Sequence, residues 1–182
     1  MVCTAPALEL ITQLFEYPAA GYREKITEVA AALAATDAGA ADLVGSFAEA
    51  IGDRSLAALE ELYIQTFDLN PDACLEVGWH LFGEDYARGE FLAKVRQEMR
   101  RYGVAEREEL PDSLLCVLPL AARMAEDEAV VFRTKYLLPA VEKLRKAIPA
   151  GVNPYATLCA ALVLLLTTGT VGEEPRGGRT DE

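Results

Sequence analysis

Residues 74–83, CLEVGWHLFG, decide the fold class. Leu75, Val77, Trp79 and Leu81 alternate with other residues, as on a half-buried strand. The flanking signals favour a helix instead. Asn70-Pro71 stands just upstream. Asn can accept from the free first-turn amides, and Pro suits the first helical position because its missing donor costs nothing there. Asp72 suits the positive end of a helix dipole, and Gly83 supplies a stop. We therefore read a helix from Pro71 to about Gly83, carrying Cys74, Leu75, Gly78, Leu81 and Phe82.

Outward from this stretch the periodicity is helical. Leu8, Ile11, Leu14 and Phe15 share one face, and Pro18 ends that segment. Ile26, Val29, Ala30 and Leu33 form a second face, and Leu43, Val44, Phe47 and Ile51 a third. A fourth runs from Leu56 through Tyr63 to Phe67. A longer amphipathic helix is expected from about Glu84 to Tyr102, then an acidic loop, then a helix from Pro111 or Asp112 to about Ala125. Pro139 should kink or split the helix that follows, and Pro119 should bend the one before it. Asn153-Pro154 marks one more helix start. The expectation is an all-α, single-domain bundle of about eight to ten helices over residues 1–170, with a disordered charged tail at 171–182.

Composition narrows the function classes. The chain has 182 residues, 17 Lys+Arg against 29 Asp+Glu, and a net charge of -12. Nucleic-acid binding needs basic residues to neutralise phosphates, so it is disfavoured, and an anionic membrane surface equally. A basic peptide suits the charge better. The N-terminus has no basic residue before Arg23, unlike a secretory signal, and the apolar run from Ala156 is shorter than a membrane span needs. A cytoplasmic location without stable membrane insertion is expected.

Motifs for catalysis are absent from the sequence. There is no G-x-S-x-G, Gly-rich phosphate loop or H-E-x-x-H. Cys3, Cys74, Cys116 and Cys159 lack metal-ligand spacing, and the one His, His80, cannot build a His-rich site. They read as buried free thiols. On one helix Cys74 and His80 would face different ways, so a Cys–His nucleophile is not expected. Glu84, Asp85 and the run Glu106, Glu108, Glu109 read as solvated charges or caps, with Arg88 pairing to Glu84 at i,i+4. Tyr63, Phe67, Trp79, Phe82, Tyr86 and Phe91 cluster mid-chain, where aromatics could pack the core or line a groove.

Four segments carry a resemblance in order: LEELYIQTFDLNP (59–71), HLFGEDYARGEFL (80–92), YGVAEREELPDSL (102–114) and LLPAVEKLRKAIPAGVNPYATLCAAL (137–162). Together they resemble the redox-enzyme maturation chaperones, the NarJ-like nitrate reductase delta subunits and TorD-like proteins. The likeness spans residues 55–166. It implies an all-α chaperone that is not an enzyme and has no resident cofactor. Such proteins bind the N-terminal region of a molybdenum-containing catalytic subunit, a twin-arginine signal peptide or its remnant. They hold the apoenzyme until molybdopterin guanine dinucleotide is inserted, which brings the machinery that delivers it into range as a partner. The sequence departs from the pattern at Ser113, Val117 and Pro119, and leaves open which branch and which client it serves. The expected peptide-contacting residues are Tyr63, Phe67, Trp79, His80, Glu84, Asp85 and Arg88. Asp112 is a second candidate, with an N-cap as its alternative role. Two other readings are a structural helical subunit of a redox complex and a small metal-dependent helical enzyme.

Overall fold

The computed structural model of the protein describes residues 4–168. The order is α1 (Thr4–Thr12), α2 (Tyr22–Ala34), α3 (Ala38–Ile51), α4 (Leu56–Tyr63), α5 (Val77–Phe82), α6 (Tyr86–Arg101), α7 (Leu114–Arg123), α8 (Glu126–Phe132), α9 (Leu138–Ala147) and α10 (Tyr155–Thr167). Among the described residues there is no strand, only one isolated antiparallel bridge between Glu76 and Ser113. The fold is an all-α helical bundle. The expected tail at 171–182 and Cys3 lie outside the described residues.

The apolar faces read from the sequence are the ones buried. Ile26, Val29 and Leu33 of α2 meet Val44, Phe47 and Ile51 of α3 in one core cluster. Helix α10 is apolar all round because it is central: it packs on α3, α9 and α1, and buries Leu158, Cys159, Leu162 and Leu165 among others. A helix with no polar face has no other stable place in water. Caps follow their residue types. Asp37, Ser55 and Asp85 each accept a main-chain N–H at the start of α3, α4 and α6.

Two helices end earlier than their periodicity suggests. After α4 the chain runs on as a π-turn, Ile64–Asp68, and after α8 as a second one, Arg133–Leu137. The second sits just ahead of Pro139, which occupies the first turn of α9 where no donor is needed. Pro139 thus splits its segment, as expected. Pro119 lies inside α7.

The stretch from Asn70 to Gly83 differs from the expected continuous helix. Asn70 does accept from Asp72 N–H (3.2 Å), but the turn it starts is a short 3-10 turn, Pro71–Ala73. Residues 74–76 are then drawn out as a short extended link. Leu75 C=O accepts from Leu114 N–H (2.9 Å), and Val77 N–H donates to Asp112 C=O (2.8 Å). The helix begins only at Val77. Of the alternating residues only Leu75 precedes the helix; Val77 opens it and Trp79 and Leu81 lie within it, while the link is held by a partner segment more than thirty residues away.

Candidate functional site

The first turn of α10 anchors the site. Asn153 Oδ1 accepts from Tyr155 N–H (3.0 Å), while its amide donates to Thr66 Oγ1 (2.7 Å). This fixes the π-turn against α10. The Tyr155 ring packs on Phe67 (4.7 Å between centroids) and Tyr63 (6.1 Å), and Tyr63 packs on Tyr17 (5.4 Å). The Tyr63 hydroxyl donates to Phe15 C=O (2.9 Å). Burial alone would hold this phenol neutral, and it moves the Tyr63 pKa up.

Beside this aromatic wall lie two adjoining cavities. The first, about 440 Å³, is lined by Tyr17, Tyr63, Phe67, Asp68, Cys74, Leu75, Glu76, Glu109, Ser113 and Leu115. The second, about 370 Å³, is lined by Phe67, Asp68, Pro71, Cys74, Glu76, Trp79, Arg88 and Leu110. Phe67, Asp68, Cys74 and Glu76 belong to both, so the two form one groove. Its wall is aromatic and aliphatic, and its carboxylates are Asp68, Glu76 and Glu109. Desolvation, and then the charge of Glu76, hold the Asp68 pKa above the ordinary carboxylate value. A cation entering the groove would relieve that repulsion.

One buried node sets the groove's far end. Asp112 is 0% exposed. Its Oδ2 accepts from Gly78 N–H (3.1 Å) and from Arg88 Nε–H (3.2 Å). With its carbonyl on Val77 N–H, Asp112 satisfies two first-turn amides of α5 that have no partner within that helix. Asp112 therefore does not cap the helix that follows it; Ser113 does, accepting from Leu115 N–H (3.3 Å). Burial pushes the Asp112 pKa up and the Arg88 guanidinium pulls it back. Gly78 is required here: a Cβ on it would stand 2.5 Å from Asp112 Oδ2 and 3.1 Å from Phe91 Cδ1. Arg88 pairs with Asp112 rather than with Glu84, as its position suggested, and its guanidinium lies over the Trp79 ring at 5.6 Å.

Of the residues singled out from sequence, the structure brings Tyr63, Phe67, Trp79 and Arg88 into the groove lining. Asp112 lies behind it, under Arg88. Glu84 and Asp85 are exposed outside it, and Asp85 caps α6 by accepting from Ala87 N–H (2.8 Å). His80 turns away from Trp79 towards α9, lining a small gap with Leu75, Val141 and Leu144. Tyr17, Asp68, Cys74, Glu76 and Glu109 were missed. Asp68 stood inside a quoted motif and Glu109 inside a charge run, but nothing local distinguishes either from a solvated carboxylate.

Cys74 and His80, expected to face apart, are in contact, because Cys74 is not on the helix. His80 Nε2 lies 2.7 Å from Cys74 C=O and 4.0 Å from its Sγ. A carbonyl only accepts, so Nε2 carries the hydrogen and cannot take the thiol proton. Burial also pushes the Cys74 thiol up to about 12. The pair is not an activated nucleophile. Cys74 is half-buried, while Cys116 and Cys159 are buried free thiols. Among the described residues no group of three His, Cys, Asp or Glu could hold a metal ion.

Burial holds the His80 pKa below its ordinary 6.5, with the Cys74 carbonyl opposing. The unfolded chain therefore takes up the proton first as pH falls. Stability from this group is full above about 6.5 and is lost as pH drops through the lower folded value. Urea unfolding at about pH 7 and about pH 5.5 should show this loss, and His80→Gln should make the slope shallower. An unchanged slope in the variant would show that other groups carry it.

Comparison with known families places these features in order. The model described as nitrate reductase delta subunit matches residues 22–161. That span takes in the groove apart from Tyr17, and the Asp112 node. No curated protein matches the chain.

Proposed function

The chain belongs to the nitrate reductase delta subunit family, whose members are chaperones rather than enzymes, and on that premise we propose what its groove holds. At the level of the family, this is a molybdoenzyme maturation chaperone with a nitrate reductase-type partner. The groove takes the N-terminal region of the molybdenum-containing catalytic subunit, a twin-arginine signal peptide or its remnant. It keeps that subunit in the cytoplasm until molybdopterin guanine dinucleotide is inserted.

The observation that carries this reading is the pairing of an aromatic wall with Asp68, Glu76 and Glu109 in one open groove. Basic, apolar segments fit such a surface through burial of apolar area and through complementary charge. The net charge of -12 steers the same partners from a distance. Among the described residues no helix is long and apolar enough to cross a membrane.

Co-purification from cells grown with and without molybdenum tests the role. The chaperone should accompany the cofactor-free catalytic subunit and leave it once cofactor is inserted. Stable recovery with mature, active enzyme would instead make this chain a structural subunit.

A further inference from the structure

The groove is electrically lopsided. Glu109 and Tyr17 line only the first cavity, whereas Arg88 and Trp79 line only the second. Asp68 and Glu76 sit where the two meet. The first cavity therefore holds three carboxylates and no cation, with the Tyr17 ring, 48% exposed, at its mouth. Ser113 adds a second kind of contact there. It is 3% exposed and its Oγ accepts from Leu115 N–H, but its own hydrogen meets no acceptor among the described residues. A buried hydroxyl on a cavity wall with an unused donor suits a ligand carbonyl.

The second cavity shares Asp68 and Glu76 but lacks Glu109 and adds Arg88, a cation the first does not have. Arg88 gives its Nε–H to Asp112, and its Nη groups make no hydrogen bond among the described residues. Its guanidinium therefore faces the groove with donors to spare. That edge favours a main-chain carbonyl or a carboxylate and opposes a second cation.

We propose that the groove reads the charge of its peptide at one end only: a single guanidinium or ammonium side chain enters the Tyr17–Glu109 cavity, and the adjoining apolar residues lie on Trp79 with main-chain carbonyls turned to Arg88. This rests on the peptide-holding role proposed above and adds which carboxylates do the reading. Glu84 and Asp85, outside the groove, take no part. The cation in the first cavity lies among Asp68, Glu76 and Glu109, and the aromatic face of Tyr17 adds a cation–π contact.

Two fluorescein-labelled peptides test it, each with one variable position ahead of a Leu-Phe-Leu segment. One carries arginine there and the other citrulline, its neutral isostere. Fluorescence anisotropy on the full chain should show the arginine peptide bound about tenfold more tightly. Glu109→Gln, at an exposed position that does not endanger the fold, should erase most of that preference. Arg88→Gln should leave it intact or raise it, and Glu84→Gln should leave it unchanged. Equal binding of the two peptides by the natural chain, or a preference that survives Glu109→Gln, overturns the charge-reading end while leaving the peptide-holding role standing. Binding of neither peptide sinks both.

Discussion

Replacing Asp112 with alanine is expected to cost the fold about 3 kcal/mol or more, although the residue lies in no helix and touches no cofactor. Asp112 is 0% exposed and its Oδ2 holds Gly78 N–H and Arg88 Nε–H together. Removing it leaves a first-turn amide of α5 without an acceptor and a largely buried guanidinium without its counter-charge. Both partners then bear their desolvation alone, which is why breaking a buried pair costs more than the pair is worth. Arg88 keeps some access to water, with 21% of its side chain exposed, and that places the loss at the lower end. For a chain of this size the melting temperature should fall by roughly 6–12 °C in a circular-dichroism scan. Asp112→Asn should lose less. It keeps an acceptor for Gly78, and it removes a carboxylate whose ionised form burial already disfavours. Gly78→Ala should approach the alanine variant, because its methyl would drive Asp112 off its partners. A shift below about 2 °C for Asp112→Ala would mean that water or main-chain rearrangement replaces the carboxylate at little cost.

What the sequence disclosed and what it hid divide by distance along the chain. The faces of α2 and α3 were legible because Ile26, Val29 and Leu33, or Val44, Phe47 and Ile51, announce themselves within one helix. Pro139 was legible because its missing donor acts on its own neighbours. The extended link at 74–76 was not, since the bonds that hold it and the helix start after it run to Leu114 and Asp112. Local start and stop signals rightly favoured a helix over the Leu75–Leu81 alternation, but placed its start six residues too early. Arg88 was assigned to Glu84, four residues away, when its partner lies twenty-four residues on. The π-turn at Ile64–Asp68 has the composition of the helix it extends, so no residue type betrays it, yet it places Thr66 against Asn153 and Phe67 against Tyr155. The order of the four motifs carried information that local rules lacked, because three of them meet at the groove: 59–71 supplies Tyr63, Phe67, Asp68 and Pro71, 80–92 supplies Arg88, and 102–114 supplies Glu109, with Asp112 behind it. Glu109 itself stayed hidden among Glu106 and Glu108, and only the third dimension separates the one that lines a cavity.

Trp79→Ala is expected to weaken binding of the client's N-terminal peptide about thirtyfold, near 2 kcal/mol, while His80→Ala leaves it nearly unchanged. The two residues are neighbours on α5 and leave it in different directions. Trp79 is half-buried, lines the second cavity and carries the Arg88 guanidinium on its ring. It offers a large apolar face at small entropic cost, the usual character of an interface anchor. His80 is spent inside: its Nε2 holds Cys74 C=O, and its own carbonyl accepts from Lys143 Nζ (2.6 Å). The expected losses therefore cross over. Trp79→Ala should shift the melting temperature little and affinity strongly, whereas His80→Ala should loosen the Cys74 link and spare affinity. Calorimetry at low and raised salt reads both parts of the interaction. The apolar share lost with Trp79 should persist at high salt, while the share due to Asp68, Glu76 and Glu109 should fade as ions screen it. If Trp79→Ala instead unfolds the chain, the ring is core and the groove must end at Phe67. If affinity survives Trp79→Ala in a folded chain, the peptide is held by the first cavity alone.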